Sequence, residues 1–409
     1  MKVAIMGFGV VGSGVAEVIS GNCEVIEKNS NVSLELSHIL DIRDFENNPF
    51  SSFMTKNFED ILNDDETEIV VETMGGVNPA FTFVSMCLEK GKHVFSSNKE
   101  LVATRGFELL TLARENNVNF LFEASVGGGI PIIRPISRCL AGNRISEVAG
   151  ILNGTSNFIL TKMIVDGMSF DEALSLAQQK GYAEKDPTAD VEGHDACRKV
   201  CILATLAFGK HVYPEQVKTE GITNITLEDV ASADSFGCVI KLIGHAEKLE
   251  NGKITASVRP TVVSRQSMLS GVNGVFNAVL INGDQTGEVM FYGKGAGKEA
   301  TASAVVADIM DCAKHVKAAK YLNWEDGYEG YVDNNSDQSE SIFVKIKSDN
   351  YENLVNLFEE NFSGLTLQFT KNEFSKEICF ITKPIKNSLL TEKLNNFPNC
   401  EIKTLHTIL

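Results

Sequence analysis

Short apolar runs alternate with segments of helical apolar spacing over the first 123 residues of the chain. Short apolar runs predict buried strands, and a period of 3.6 residues predicts helices. The predicted strands cover residues 1–7, 36–42, 68–72, 93–96 and 119–123, and the predicted helices cover 13–20, 79–90 and 99–117. This alternation indicates an α/β fold with a doubly wound parallel sheet, whose ligand lies beyond the carboxyl ends of the strands.

The pattern changes after the glycines at 127–129. We predict helices over 131–140, 155–165, 170–180, 195–208 and 301–317, and strands over 147–152, 256–263, 274–281 and 288–292. The segment 301–320 is expected to pack back on the first domain. Residues 324–340 are polar and acidic, which is typical of a linker or loop. The last segment, 341–409, has the order βαββαβ, and this order predicts a small ferredoxin-like unit.

The charge balance excludes several classes of function. The chain has 37 Lys and Arg against 54 Asp and Glu, a net charge of −17. Such a surface suits neither nucleic-acid phosphates nor an anionic membrane. Glycines at 7, 9, 12 and 14 interrupt the apolar start of the chain, so we interpret it as folded structure and not as a signal peptide. The nine cysteines form no CxxC pair, and we expect free thiols in a cytoplasmic protein.

A glycine pattern of the form GxGxxG lies between the first predicted strand and the first predicted helix. Gly7 would allow a tight turn, Gly9 a close approach of a pyrophosphate, and Gly12 close helix–strand packing. The amino end of the helix would then face the phosphates. The pattern therefore predicts a Rossmann-type dinucleotide site. The alternative is a tight turn in another kind of α/β protein.

The end of the second predicted strand carries two opposing signals for the cofactor. Asp41 or Asp44 is suited to a ribose 2′-hydroxyl, as in NAD, whereas Arg43 is suited to a 2′-phosphate, as in NADP. We therefore expect NADP or NAD, with a preference for NADP.

Residues 181–199 concentrate acids and amines near a predicted helix. Pro187 disfavours a helix before it, so a loop is expected to deliver Glu184 to the mouth of a helix that carries Asp195 and Lys199. Asp195 and Lys199 are four residues apart and share a helix face. Such a set can hold an amino-acid-like substrate and move a proton. The alternative is a surface salt bridge at an acidic helix start.

Two further segments end predicted strands at the ligand edge of the sheet. Thr73 follows the third strand, and Lys99 follows the fourth, where a solvated helix-start lysine would be poorly placed against the helix dipole. The glycine-rich segment 123–130 offers backbone carbonyls and Glu123, which are suited to a hard cation. A domain hinge that needs small residues is the alternative.

Seven motifs together resemble one family. GFGVVGSG, ETMGG, SSNKELVA, FEASVGGGIPII, GILNGTSNFIL, GYAEKDPTADVEGHDACRK and FYGKGAGKEATASAVVADI occur in the order found in homoserine dehydrogenase, over residues 1 to 310. The resemblance implies the reversible NAD(P)H-dependent reduction of L-aspartate 4-semialdehyde to L-homoserine, in threonine, methionine and isoleucine biosynthesis. It implies a nucleotide-binding domain (1–130), an α+β catalytic and dimerisation domain (131–300) and a C-terminal ACT-like domain (341–409).

The resemblance also implies roles for individual residues. Lys199 matches a proton-transferring lysine, Lys99 a second active-site lysine, and Asp195 and Glu184 match substrate-binding acids. A monovalent cation, usually sodium, is implied at Glu123, Val126, Gly128 and Ile130. The implied nucleotide contacts are Gly7, Phe8, Gly9, Val10, Val11, Gly12, Arg43, Thr73, Lys99, Gly181, Glu184, Gly295 and Gly297.

The expected partners are the small-molecule substrate, other copies of the chain in a homodimer or homotetramer, and an amino-acid effector at the ACT-like domain. The tail departs from the ACT pattern, because residues 348–352 (SDNYE) lack the usual Pro-Gly turn, and this departure leaves inhibition by threonine open. Two rival functions remain. A semialdehyde dehydrogenase forming an acyl phosphate needs a thiolate, and a nucleotide- or amino-acid-sensing protein needs no catalytic set.

Overall fold

The computed structural model describes residues 1–314, 318, 320, 322–334 and 337–408. The first part of the chain is built on a six-stranded sheet in the order β3-β2-β1-β4-β5-β6, with all neighbours parallel. Its strands are β1 (Lys2–Met6), β2 (Glu35–Leu40), β3 (Met54–Thr55), β4 (Thr67–Glu72), β5 (His93–Ser96) and β6 (Phe120–Leu121). The order reverses direction at β1, which places the ligand crevice there. The predicted doubly wound parallel sheet is confirmed.

Helices cover both faces of this sheet because alternate strand residues point to opposite sides. Val3 and Ile5 of β1 lie in one core, whereas Ala4 and Met6 lie in another, and all four are fully buried. The helices of this part are α1 (Val10–Gly21), α2 (Cys23–Ser30), α3 (Glu59–Leu62), α4 (Ala80–Glu89) and α5 (Lys99–Glu115).

The second part adds helices around a mixed sheet. Its elements are β7 (Ile145–Ile151), α6 (Gly154–Asp166), α7 (Phe170–Gln179), α8 (Thr188–Val191), α9 (His194–Phe208), β8 (Lys218–Thr219), α10 (Leu227–Asp234), β9 (Cys238–Lys248), β10 (Ile254–Ser264), β11 (Phe276–Gly283), β12 (Gly287–Lys294) and α11 (Lys298–Lys314). α11 returns to the first sheet, where Ala302, Val305 and Ile309 share a core with Val15 of α1. The predicted residues 315–317 and 319 of this segment lie outside the described residues.

The second part differs from the prediction in two places. The helix predicted over 131–140 is shorter, since residues 133–134 are α-helical and Pro135–Cys139 continue as a π-helical turn. β9 was not predicted, although it lies between β7 and β10 in the sheet. Its first seven residues are all buried, so the strand lacks the alternation of polar and apolar residues that marks a strand with one covered face.

The tail continues the second sheet. Its elements are β13 (Ser339–Glu340), β14 (Ile342–Lys347), α12 (Tyr351–Phe362), β15 (Thr366–Asn372), β16 (Glu377–Thr382), β17 (Ile385–Lys386), α13 (Asn387–Leu394) and β18 (Glu401–Ile408). β18 pairs with β10 in parallel, and the order runs β12-β11-β7-β9-β10-β18-β14-β16-β15. The tail and the second part therefore share one hydrogen-bonded sheet.

In its described residues the segment 324–340 is a loop up to β13, as its composition predicts, but two of its aromatic side chains are buried. Trp324 and Tyr331 are 5% and 2% exposed, and the Trp324 ring lies 5.4 Å from Phe122 and 5.5 Å from His211. The segment thus packs against both of the first two parts. Its residues 335–336 lie outside the described residues. No helix among the described residues has the length and apolarity to cross a bilayer.

Candidate active site

A cleft of about 710 Å³ opens where the carboxyl ends of the first sheet meet the second part. Its lining comes from the amino ends of α1 and α5, the loop after β7, the loop 181–182, α9 and the turn between β12 and α11. The lining residues with charged side chains are Lys99, Asp190, Asp195, Lys199, Lys294 and Glu299. The cleft therefore lies at the edge that the strand pattern predicts.

Lys199 and Asp195 form the buried centre of this cleft. Gly193, with a φ of 82°, starts α9, and the two side chains project from one face of that helix. Lys199 Nζ lies 2.9 Å from Asp195 Oδ2 and donates to the Leu152 carbonyl at 2.7 Å. Two of the three ammonium hydrogens are thus engaged, and the third remains for a ligand in the cleft.

Lys99 forms an ion pair with the Asp195 carboxylate from the other wall of the cleft. Its Nζ lies 2.6 Å from Asp195 Oδ1, and its side chain is 40% exposed, against 8% for Lys199. Lys99 is the first residue of α5, and Asn98 caps that helix by accepting the Leu101 N–H at 3.1 Å. The structure therefore brings together the three residues Lys99, Asp195 and Lys199.

The two amines have pKa shifts of opposite sign. Burial lowers the pKa of Lys199 below its ordinary value, because it outweighs the attraction of Asp195. Burial also acts on the pKa of Lys99, but there the Asp195 carboxylate outweighs it and the pKa is raised. For Asp195, the two ammonium groups outweigh burial and hold its pKa below the usual range. Lys199 is therefore the amine closer to proton exchange near neutral pH.

Asn153 and Asp190 complete the polar wall, although neither is among the site residues predicted from the sequence. The Asn153 side-chain amide donates to Asp195 Oδ2 at 2.9 Å and to Asp190 Oδ1 at 2.7 Å. Burial raises the pKa of Asp190, and the nearby Asp195 charge acts in the same direction. Asn153 is 42 residues from Asp195 in the chain, so the signals for it were its place after a strand predicted to end at residue 152 and its position in the motif GILNGTSNFIL.

Glu184 lies apart from this group. Glu184 is exposed, and it is not one of the described residues that line the cleft. Its main-chain carbonyl accepts a hydrogen bond from the Gln178 side chain at 3.2 Å. Gly181, at the start of the same loop, does line the cleft.

The glycine turn has the shape of a phosphate site. A Cβ on Gly12 would lie 1.9 Å from the Gly7 carbonyl oxygen, so only glycine lets α1 approach the turn this closely. Gly7 has a φ of 97°, and the Thr73 hydroxyl donates to its carbonyl at 2.8 Å. Open space surrounds the Cβ position of Gly9, which precedes α1. Backbone N–H groups at this helix end are therefore accessible to an anion.

Side chains at the end of β2 are already paired with one another. The Asp41 carboxylate accepts hydrogen bonds from Arg43 Nε at 2.9 Å, from the Arg43 terminal nitrogen at 2.8 Å and from the Phe8 N–H at 2.8 Å. Arg43 lowers the pKa of Asp41 to about 2. The Arg43 side chain is 59% exposed and lies 5.1 Å from the centre of the Phe45 ring.

Other predicted nucleotide contacts line the cleft itself. Val10 and Val11 line it from the first turn of α1, and Gly295 and Gly297 line it from the turn before α11. A Cβ on Gly128 would lie 2.4 Å from the Gly295 carbonyl oxygen, so the two glycine segments are in direct contact. The turn before α11 and the first turn of α1 therefore lie at the same cleft.

In the segment 123–130, the predicted cation site, the Glu123 carboxylate is already hydrogen-bonded within the protein. Glu123 Oε1 accepts the Ile133 N–H at 2.8 Å, and Glu123 Oε2 accepts the Arg134 N–H at 2.9 Å and Arg134 Nε at 3.2 Å. The carboxylate oxygens are thus engaged by main-chain donors and by Arg134. The predicted cation would therefore depend on main-chain carbonyls of the segment.

The cleft lacks the nucleophile that an acyl-phosphate-forming dehydrogenase needs. No cysteine is among its lining residues in the described part of the chain, and Cys197 and Cys201 are buried in α9. This finding argues against that rival.

Comparisons with protein families and curated sequences give one consistent match. A family model described as "Homoserine dehydrogenase" matches residues 131–310, and one described as "Homoserine dehydrogenase, NAD binding domain" matches residues 7–123. A curated homoserine dehydrogenase of Bacillus subtilis is 36% identical over an alignment of 416 residues, which covers 98% of this chain and 96% of the relative.

Two solved structures have the same fold, one over the whole chain and one over about three quarters of it. A homoserine dehydrogenase from Thiobacillus denitrificans has a TM-score of 0.91 at 32% identity, covering 100% of this chain and 98% of that one. A hyperthermophilic archaeal homoserine dehydrogenase mutant in complex with NADPH has a TM-score of 0.65 at 30% identity, covering 76% of this chain and 96% of that one. The chain therefore belongs to the homoserine dehydrogenase family, as an NAD(P)-binding oxidoreductase that interconverts L-homoserine and L-aspartate 4-semialdehyde.

Proposed function

We propose that Lys199 donates the proton in the reduction of the semialdehyde and accepts it in the oxidation of homoserine. The observation that supports this role is the buried ammonium at the cleft, with one hydrogen left after Leu152 and Asp195 are bonded. When bound, the reduced nicotinamide would supply hydride to the aldehyde carbon, and the oxidised form would accept it from the carbon that bears the hydroxyl. Lys199 meets the charge that develops on the carbonyl oxygen and transfers its proton there, with no covalent intermediate.

The acids of the cleft then position the amines and the substrate. Asp195 holds Lys199 and Lys99 in fixed orientations, and Lys99 adds positive charge beside the reacting oxygen. Asp190 lines the cleft and is suited to the substrate ammonium. Glu184 stays a predicted substrate and nucleotide contact, which requires its exposed loop to move toward the cleft.

The test is homoserine oxidation followed by absorbance at 340 nm. Lys199→Ala is expected to lower kcat by at least about a thousandfold, since it removes both the acid–base group and a charge at the reacting oxygen. Cofactor affinity, measured by fluorescence titration, should change less than about threefold. Lys162→Ala, at an exposed i,i+4 pair with Asp166, is the matched control. Unchanged turnover in Lys199→Ala would reject Lys199 as the proton donor.

We propose a preference for NADP over NAD. Asp41 is occupied by Arg43 and Phe8, so it is poorly placed to accept a ribose 2′-hydroxyl, whereas the exposed Arg43 guanidinium can pair with a 2′-phosphate. Arg43→Ala should lower kcat/KM for NADP at least about tenfold and leave that for NAD within about twofold. Equal losses with both cofactors would contradict the preference.

A monovalent cation, with sodium as the first candidate, is proposed at the main-chain carbonyls of the segment 123–130. Equal ionic strength from sodium chloride or choline chloride isolates its effect. We expect activity to fall when sodium is replaced by choline, and equal activity would reject the cation site.

We also propose that the segment 341–409 is an ACT-like unit that binds an amino-acid effector where it meets the segment 131–300. A cleft of about 780 Å³ lies there, between β10 and α13. The Arg259 side chain is only 21% exposed and lies 3.6 Å from Glu340, and its guanidinium donates no hydrogen bond to any described residue. Burial lowers the pKa of Arg259 to about 10. A guanidinium so poorly satisfied is suited to a carboxylate ligand.

Threonine titration followed by calorimetry tests the effector site. Arg259→Met should weaken threonine binding at least about tenfold, with Arg265→Met, a surface arginine paired with Asp234, as control. Absence of threonine binding to the unmodified chain would reject threonine as the effector.

Self-association into a homodimer or homotetramer is proposed through the segment 131–300, and light scattering coupled to size exclusion measures it. A monomer at assay concentration would reject it.

A further inference from the structure

A fully buried carboxylate lies at the end of β4, and the mechanism above does not use it. Glu72 is 0% exposed and forms no ion pair with any described lysine or arginine. One carboxylate oxygen accepts the Ser96 hydroxyl at 2.5 Å, and the other accepts the Met74 N–H at 2.8 Å. Burying an unpaired carboxylate is costly even when it is hydrogen-bonded, and burial raises the pKa of Glu72. Apolar packing alone would not place an acid here.

The hydrogen bonds around Glu72 have defined directions. The Ser96 hydroxyl oxygen accepts the Asn98 N–H at 3.0 Å, so its own proton points to Glu72. The Asn98 amide lies 3.4 Å from Glu72 and donates to the Gly76 carbonyl at 2.6 Å. All these neighbours present donors to Glu72, and the carboxylate accepts from all of them. Glu72 thus joins the loop after β4 to the loop after β5.

This network ends at the first turn of α5. Asn98 is the residue that caps α5, and the next residue is Lys99, whose amine lies 2.6 Å from Asp195. A lysine at the amino end of a helix faces the positive end of the helix dipole, so its place there needs support from elsewhere. Glu72 supplies that support through its contacts with Ser96 and with the capping residue Asn98.

We propose that Glu72 is a positioning residue, which fixes the start of α5 and thereby holds Lys99 against Asp195. The proposal rests on the proposed role of Lys99 in the reaction. Misplacing a catalytic group by about 1 Å can cost as much as about a hundredfold in rate, so a shift of the capped turn is enough to be measured.

A double-mutant cycle with Glu72→Gln and Lys99→Met tests the coupling. Glutamine keeps the shape of the side chain but turns an NH2 donor toward groups that are themselves donors. We expect Glu72→Gln to lower kcat/KM for homoserine about tenfold in the unmodified chain and less than about twofold in the Lys99→Met background. Glu68→Gln, an exposed position on the same strand, is the control and should leave both unchanged.

A second measurement reports the accessibility of the Lys99 amine independently of enzymatic activity. Limiting acetic anhydride, followed by peptide mass spectrometry, should label the Lys99 amine at least about threefold faster in Glu72→Gln, because a loosened pair with Asp195 exposes the amine. If Glu72→Gln does not fold, Ser96→Ala, which removes one donor and keeps the acid, takes its place with the same expectations.

Two outcomes would overturn the positioning role. Equal losses in kcat/KM in both backgrounds would show that Glu72 acts independently of Lys99, and an unchanged labelling rate would show that it does not hold that amine. Absence of homoserine oxidation by the unmodified chain would instead reject the proposed function, so the two failures are distinguishable.

Discussion

At the scale of single residues, Asp195 controls the protonation of two amines at once. It lies 2.6 Å from the Lys99 amine and 2.9 Å from the Lys199 amine. Its charge opposes the lowering effect of burial on both pKa values, and it outweighs burial only at Lys99. The role proposed for Lys199 requires its unprotonated form for homoserine oxidation, so we expect the rate to rise with pH through the Lys199 pKa.

Asp195→Asn should move that rise to lower pH. The substitution removes the attraction that opposes burial, so the pKa of Lys199 falls further and the unprotonated form exists at lower pH. We also expect kcat at the optimum to fall at least about tenfold, because the amide no longer orients both amines. The pH profile of homoserine oxidation between 6 and 10 measures the shift. Asp166→Asn, at an exposed pair, should leave the profile in place, and a rise that stays fixed or moves upward in Asp195→Asn would contradict the argument.

At the scale of elements, the contact between α1 and the turn after β1 depends on two glycines with different surroundings. The Cβ position of Gly12 lies 1.9 Å from the Gly7 carbonyl oxygen, whereas that of Gly9 meets only open space. Gly12→Ala should lower the free energy of unfolding by about 1–3 kcal/mol through overpacking. Gly9→Ala should leave stability nearly unchanged but weaken NADP binding, because a methyl group would enter the phosphate space.

Urea unfolding and fluorescence titration separate the two effects. Gly21→Ala, at the end of the same helix with nothing within 4 Å of its Cβ position, is the control and should raise stability by about 0.5–1 kcal/mol. If Gly12→Ala were as stable as Gly21→Ala, the close approach of α1 to the turn would be wrong.

The same elements show how far the sequence predicts the molecule. Period and spacing predicted the parallel sheet and the shared helix face of Asp195 and Lys199, because both features are local. They did not predict β9, because its first seven residues are all buried and carry no alternation of polar and apolar positions. They also gave no role to Asn153 or Glu72, whose partners Asp195 and Ser96 are 42 and 24 residues away. Contacts of that separation depend on topology, which a single sequence does not encode in any local period.

At the scale of the whole molecule, the tail and the first two parts form one body. β18 pairs with β10, and Phe343 of β14 lies 5.6 Å from Phe236 in an edge-to-face contact. Phe343 is 1% exposed and belongs to the same core as Val200 of α9. We therefore expect the tail to unfold together with the segment that carries the site.

The single tryptophan of the chain allows a direct test of this coupling. Trp324 lies between Phe122 and His211, so its fluorescence reports unfolding of the first two parts and not of the tail. Phe343→Ala should remove about 3–5 kcal/mol of stability and lower the urea midpoint seen by Trp324. Phe374→Ala, at a fully exposed position of the tail, should leave the midpoint unchanged. An unchanged Trp324 midpoint in Phe343→Ala, with tail structure lost by circular dichroism, would mean that the tail unfolds on its own.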